Sequence, residues 1–109
     1  MTENPVTRWH RLSAIQRDIL QTIRRLDASQ DCLSGMEIGR GLKRLRDKSI
    51  SNGSLYPALG ELVDQDLIVK RDIEGKSNRY ELTADGEQLL ATHVASFESL
   101  YEETDGDRR

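Results

Sequence analysis

The chain lacks most of what staples a small protein from outside its core. Cys32 is its only cysteine, so no internal disulfide can form. No group of Cys and His residues has the spacing of a zinc site, which removes structural metal as well. Aromatic residues make up 5% and hydrophobic residues 36% of the 109 positions. One domain with a small core follows, and a partner surface would help to stabilise it. No apolar run approaches the roughly 18 residues of a membrane span. The opening MTENPVTRWH also lacks the apolar centre of a signal peptide. The expectation is a cytoplasmic protein with no membrane partner. There is no glycine-rich phosphate loop between a strand and a helix. His10 and His93 fall in no Ser/His/Asp or Cys/His pattern. No enzyme activity, cofactor or metal is expected.

Charge is present in abundance and is unevenly placed. The net charge is −3, which alone argues weakly against a nucleic-acid partner. Residues 1–60, however, carry ten basic against six acidic side chains, and residues 61–109 carry six against thirteen. The densest basic stretch is RGLKRLRDK, Arg40 to Lys48, with five basic residues and one acid. Such a run is either a solvated helix face or a phosphate-binding one. Twelve of the sixteen basic residues are arginine, while Asp and Glu number ten and nine. That bias is expected of a protein from a very salty cytoplasm, such as that of a halophilic archaeon.

Hydrophobic periodicity orders the chain. Leu12, Ile15, Ile19, Ile23 and Leu26 recur at steps of three and four, predicting a helix over about 13–27 with Ser13 as its cap. A second helix over SGMEIGRGLKRL sets Ile38, Leu42 and Leu45 on one face and Arg40, Lys43 and Arg44 on the other. RDKS turns the chain, and Ser51 or Asn52 can cap a third helix that buries Leu55, Leu59 and Leu62. LIVKRDI, EGKSN and RYELT read as a β-hairpin. Thr83 can cap a last helix, in which Leu90, Val94, Phe97 and Tyr101 step by four, three and four, a coiled-coil type of seam. The ends, MTENPVT and ETDGDRR, read as frayed.

Three helices, a hairpin and a further helix, with a short turn between the second and third, make a winged helix-turn-helix. The fold class is mainly α with a small β-hairpin wing and a C-terminal dimerisation helix. The division is an N-terminal extension over 1–11, a winged-helix DNA-binding domain over 12–83, the dimerisation helix over 84–103 and a disordered tail over 104–109. Pro57, close to the start of the third helix, then has a use. It cannot bond the carbonyl of Gly53, so the first turn should loosen, leaving N–H groups for phosphate oxygens. The outward face, Gly53, Ser54, Pro57 and Gly60, is bare of bulk. It lets the backbone approach a groove closely but supplies few side chains that read bases, so shape and phosphate contacts should dominate.

The run ISNGSLYPALGELVDQDLI, followed by a short wing and YELTADGEQLL, resembles the PadR-like family of winged-helix transcriptional regulators. Ser51, Gly53, Ser54, Leu55, Tyr56 and Pro57 match its Ser-x-Gly-Ser/Thr-Leu-Tyr-Pro stretch, and Tyr80, Leu82, Thr83 and Gly86 its Tyr-x-Leu-Thr-x-x-Gly stretch. Gly35, Glu37 and Ile38 look like its second helix. The likeness spans roughly residues 12–90. Asp66 stands where the family usually has glycine, which aspartate can replace in a left-handed turn. The wing EGKSNR is short and only partly basic. The resemblance implies a homodimer that binds double-stranded operator DNA, usually as a repressor, with the first and last helices forming the dimer interface.

The residues expected at DNA are Arg44, Arg46 and Lys48 on phosphates, Ser51, Asn52, Gly53, Ser54, Tyr56 and Pro57 at the major groove, and Lys76, Asn78 and Arg79 in the wing. Their alternatives are solvation of the turn, capping and packing, and an ordinary polar turn. Leu90, Val94, Phe97 and Tyr101 are expected at the dimer interface, against packing inside one protomer. Cys32 is an inert packing residue or a redox sensor, and Trp9 packs, covers the dimer or lines a ligand pocket. No small-molecule effector is identified. The competing function is a winged-helix protein-contact module without specific DNA binding, which would expose an apolar patch on the third helix.

Overall fold

The computed structural model describes residues 4–27, 33–72, 75 and 78–107. The elements are α1 (Pro5–Arg11), α2 (Ala14–Asp27), β1 (Leu33–Ser34), α3 (Gly35–Arg46), α4 (Asn52–Asp64), β2 (Ile68–Arg71), β3 (Arg79–Leu82) and α5 (Ala84–Asp107). The three helices, the hairpin and the last helix of the sequence reading are α2, α3, α4, β2–β3 and α5. The fold is the winged helix-turn-helix, mostly helical around a small antiparallel sheet of order β1-β3-β2.

Helix starts follow local chemistry. Ser13 Oγ accepts the Gln16 N–H at 3.2 Å and Gln16 Oε1 accepts the Ser13 N–H at 2.9 Å, a reciprocal cap on α2. Thr83 Oγ1 accepts the Gly86 N–H at 3.0 Å and donates to the Asp66 carbonyl at 2.6 Å, so it starts α5 and fastens it to the turn after α4. Asp66 has φ 62°, the left-handed conformation expected of it. Gly86 is required by contact. A Cβ there would lie 2.1 Å from the Leu67 carbonyl oxygen, and backbone cannot yield that space.

The core is built from Ile19, Leu20 and Ile23 of α2, Ile38 and Leu42 of α3, and Leu55, Leu59 and Leu62 of α4, closed below by Leu67, Ile68 and Tyr80. Leu45, expected on the apolar face, lies instead exposed at the rim of the α2–α3 contact beside Thr22, Arg25 and Leu26. Three further differences concern short or terminal segments. The N-terminal residues read as frayed include the start of α1, with Pro5 in its first turn and Asn4 Oδ1 accepting the Val6 N–H at 2.8 Å. The helix carries Trp9, 1% exposed, into the core. β1 has two residues, too few for alternation to register. α5 runs four residues past the expected end at 103, continuing through ETDGD.

Candidate nucleic-acid interface

α3, the turn at Asp47–Ile50 and the start of α4 bring the expected phosphate and groove residues together. Ser34 N-caps α3, and α3 ends at Asp47 in the left-handed conformation, φ 56°, which reverses the chain toward Ser51. Ser51 is the N-cap of α4 by position, yet its side chain makes no cap bond. Its hydroxyl lies 3.3 Å from that of Ser54. The Ser54 and Leu55 N–H groups reach the Ser51 carbonyl at 3.0 and 2.9 Å, so the first turn is formed and Pro57 does not unwind it. The loosening expected there is absent because the bond that Pro57 removes, to the Gly53 carbonyl, comes after the one that closes the first turn on Ser51. The open end therefore arises from the missing cap, not from the proline.

Ser51, Asn52, Gly53, Ser54, Tyr56 and Pro57 are all exposed, whereas Leu55, Ala58, Leu59 and Leu62 are buried. A cleft of about 510 Å³ beside this end is lined by Ile15, Arg46, Lys48, Ser49, Ile50, Ser51 and Ser54. It holds two cations, three hydroxyls and no carboxylate. Lys48 is exposed on this side, whereas Arg44 is exposed beside Thr22, Arg25 and Leu26 of α2. Arg46 is partly committed, its Nε 3.6 Å from Asp18 Oδ2 on α2. Tyr56, although exposed along one side, leans across Gly35, where a Cβ would lie 2.6 to 2.9 Å from the phenol.

The wing is placed differently from its reading. Asn78 is half-buried just before β3, and Lys76 lies outside the described residues. Arg79 turns back from the wing, its Nη1 2.9 Å from Glu37 Oε1 on α3. Arg71 pairs with Glu81 across the hairpin. The hairpin register sets Ile68 against Leu82 and Arg71 against Arg79. Burial, then the nearby Tyr56, holds the Tyr80 phenol above its ordinary pKa, so it stays neutral and packs as core.

On α5, Leu90 belongs to the core of the single chain rather than to an exposed seam, because it faces α2 before the helix leaves the body. Val94, Phe97 and Tyr101 are exposed at 47%, 60% and 72%, joined by Leu100. His93 bridges the two regimes. Its ring stacks on Trp9 at 4.2 Å and meets Phe97 at 6.1 Å and His10 at 6.4 Å. Burial, then His10 and Arg17, lowers its pKa. Cys32 lies outside the described residues. Among those described, no group of His, Cys, Asp and Glu could hold a metal, and no helix is long and apolar enough to cross a membrane.

An open helix end with cations beside it, carried by a winged helix, fits a DNA-binding transcription regulator. Residues 26–92 match the PadR-like transcriptional regulator family, and the chain belongs to that family. It is not an enzyme family. Among solved structures, RosR of H. salinarum, in a complex, is similar at 26% identity and TM-score 0.74, over 84% of this chain and 77% of RosR. A PadR-like transcription factor of B. fragilis is similar at 24% identity and TM-score 0.65, over 94% and 98%. MepR of Staphylococcus aureus, a regulator of a multidrug efflux pump, shares the fold at 18% identity and TM-score 0.63, over 84% and 64%. No curated protein matches the chain.

Proposed function

We propose that the protein is a homodimeric repressor that binds a pseudo-palindromic operator in the cytoplasm. The observation that carries this reading is the row Val94, Phe97, Leu100 and Tyr101, exposed on α5 while the rest of the protomer closes its core without it. A second α5 covers such a row best, since packing two identical rows buries both at once. A two-fold axis through α5 then presents two α4 starts to DNA, and two-fold protein symmetry calls for a palindromic site.

In this reading Arg44, Arg46 and Lys48 hold phosphates. Ser51, Asn52, Gly53, Ser54, Tyr56 and Pro57 enter the major groove, and Lys76 and Asn78 reach the neighbouring minor groove. The face of α4 carries no apolar patch, which disfavours the protein-contact alternative. The likeness to RosR of H. salinarum and the arginine-over-lysine bias support a salt-adapted regulator. At molar salt the Debye length is about 3 Å, so affinity rests on short-range fit, which the bare α4 face suits.

Selection of bound fragments from the source genome, in parallel at low and at molar KCl, tests this. A palindromic site retained at molar KCl is expected, and random fragments lost as salt rises would refute it. Val94→Asp with Phe97→Asp is expected to give a monomer that no longer binds the selected site. A double variant that still sediments as a dimer would remove α5 from the interface.

A further inference from the structure

Arg79 is the wing residue whose place departs most from its expected role, and its surroundings give it another. Ser34 is at once the last residue of β1, paired with Arg79 in the sheet register, and the N-cap of α3. Glu37 closes the capping box: its Oε1 accepts the Ser34 N–H at 2.8 Å, and the same oxygen accepts Arg79 Nη1 at 2.9 Å. One carboxylate thus fastens a helix start to the middle strand. The neighbouring Gly35 receives the Tyr56 ring of α4, and the preceding Leu33 pairs with Tyr80 of β3. Three consecutive residues, Leu33 to Gly35, are therefore the junction at which α3, the α4 helix and the base of the wing meet.

Charge makes the junction conditional. Arg71 and Arg79 face each other directly across β2 and β3, and like charges in that position push the strands apart. Each has its own carboxylate, Glu81 for Arg71 and Glu37 for Arg79. With Glu37 neutral, the Arg71 and Arg79 repulsion falls on the base of the wing.

We infer that Arg79 is a positioning residue. Through Glu37 it clamps the base of the wing to the start of α3, and so fixes the angle between wing and α4 at which the two meet DNA. The inference rests on the DNA-binding reading for its consequence and on the free protein for its geometry. Glu37→Gln is the informative variant, because glutamine keeps an oxygen for the Ser34 N–H while removing the charge.

The test measures affinity for the duplex recovered by fragment selection, across a KCl series, with thermal melts confirming that each variant is folded. Glu37→Gln and Arg79→Gln should each weaken binding by about tenfold, the scale of one charge-assisted hydrogen bond. The slope of log affinity on log salt should stay at the wild-type value, since no phosphate contact is lost. The double variant should bind no worse than either single one, and adding Arg71→Gln to Glu37→Gln should recover part of the loss. A slope smaller by about 0.9 in Arg79→Gln, with Glu37→Gln binding as wild type, would make Arg79 a phosphate ligand and overturn the inference.

If the wild type recovers no duplex, the DNA-binding reading fails separately. Amide exchange in the free protein then decides the clamp. Strands β2 and β3 should exchange faster in Glu37→Gln while α2 stays protected, and unchanged strand exchange would refute it.

Discussion

At the start of α3 the backbone donors are met from within: Ser34 accepts the Glu37 N–H at 3.1 Å and Glu37 returns to the Ser34 N–H at 2.8 Å. At the start of α4 the serine in the same position makes no cap bond, and Asn52 and Gly53 beside it are exposed. Both helices begin with a serine, α3 directly after β1 and α4 after the turn at Asp47–Ile50. The difference is what stands three residues on: a glutamate at 37 that completes a box, and a serine at 54 that cannot. α1, α2 and α5 also start with side-chain caps, from Asn4, Ser13 and Thr83. Four closed ends hold the fold together and one is left open, with Arg46 and Lys48 nearby. A helix end without a cap gives up stability, and the partial positive charge left there favours an anion. On the reading proposed above, that anion is a phosphate of the DNA backbone.

The sharpest way to break this contrast is to close the open end. Ser51→Asp supplies a good N-cap carboxylate, so the melting temperature should hold or rise, by an amount equivalent to about 0.5–1 kcal/mol. DNA affinity should fall by about a hundredfold or more, because the new charge meets phosphate. A variant that is stabilised and binds as before would show that the α4 start is not at the DNA.

Next in size is removal of the flanking cations. Arg44→Ala with Lys48→Ala should weaken binding about tenfold or more on every sequence alike, with the salt slope smaller by about two. Unchanged affinity would place the phosphates elsewhere. Smaller again is a difference between two serines. Ser34→Ala should destabilise the protein by about 1 kcal/mol, as loss of a working cap does, and Ser51→Ala by less than about 0.5 kcal/mol. Equal losses in denaturant melts would erase the distinction between the two ends.

Much of this was legible in the sequence, for identifiable reasons. α2, α4 and the hairpin announce themselves because their apolar residues alternate at the helical or strand period and each runs against the core. Ser13 and Thr83 cap where they were read to cap, and Asp66 takes the left-handed turn. α1 escaped because Val6 and Trp9 are its only large apolar residues, too few to show a period. Leu90 was read with Phe97 because spacing along a helix cannot tell where that helix parts from the body it packs on. Arg79 reads as a wing cation in the sequence because its partner, Glu37, lies 42 residues away and is joined to it only by the fold. The open α4 end is legible in the sequence, but the sequence points to Pro57 as its cause where the structure points to the missing Ser51 cap.

The least effect expected is also the one that probes the boundary in α5 between its buried and open halves. His93 sits there, stacked on Trp9 and beside Phe97. Burial disfavours its imidazolium, and His10 from α1 and Arg17 from α2 add to that. Asp18 lines one cavity beside it and Glu98 another, and their charge acts in the opposite sense. With the folded pKa lowered, the unfolded chain binds the proton first. The contribution of His93 is therefore fully present above the unfolded value of about 6.5, and it is lost as pH falls through the folded pKa. Melts between about pH 7 and pH 5 should show His93→Gln losing less stability on acidification than the wild type, with Trp9 fluorescence titrating only in the wild type. Identical profiles would mean that protonation at the root of the exposed row is indifferent to folding. The boundary would then be set by packing of Trp9 alone.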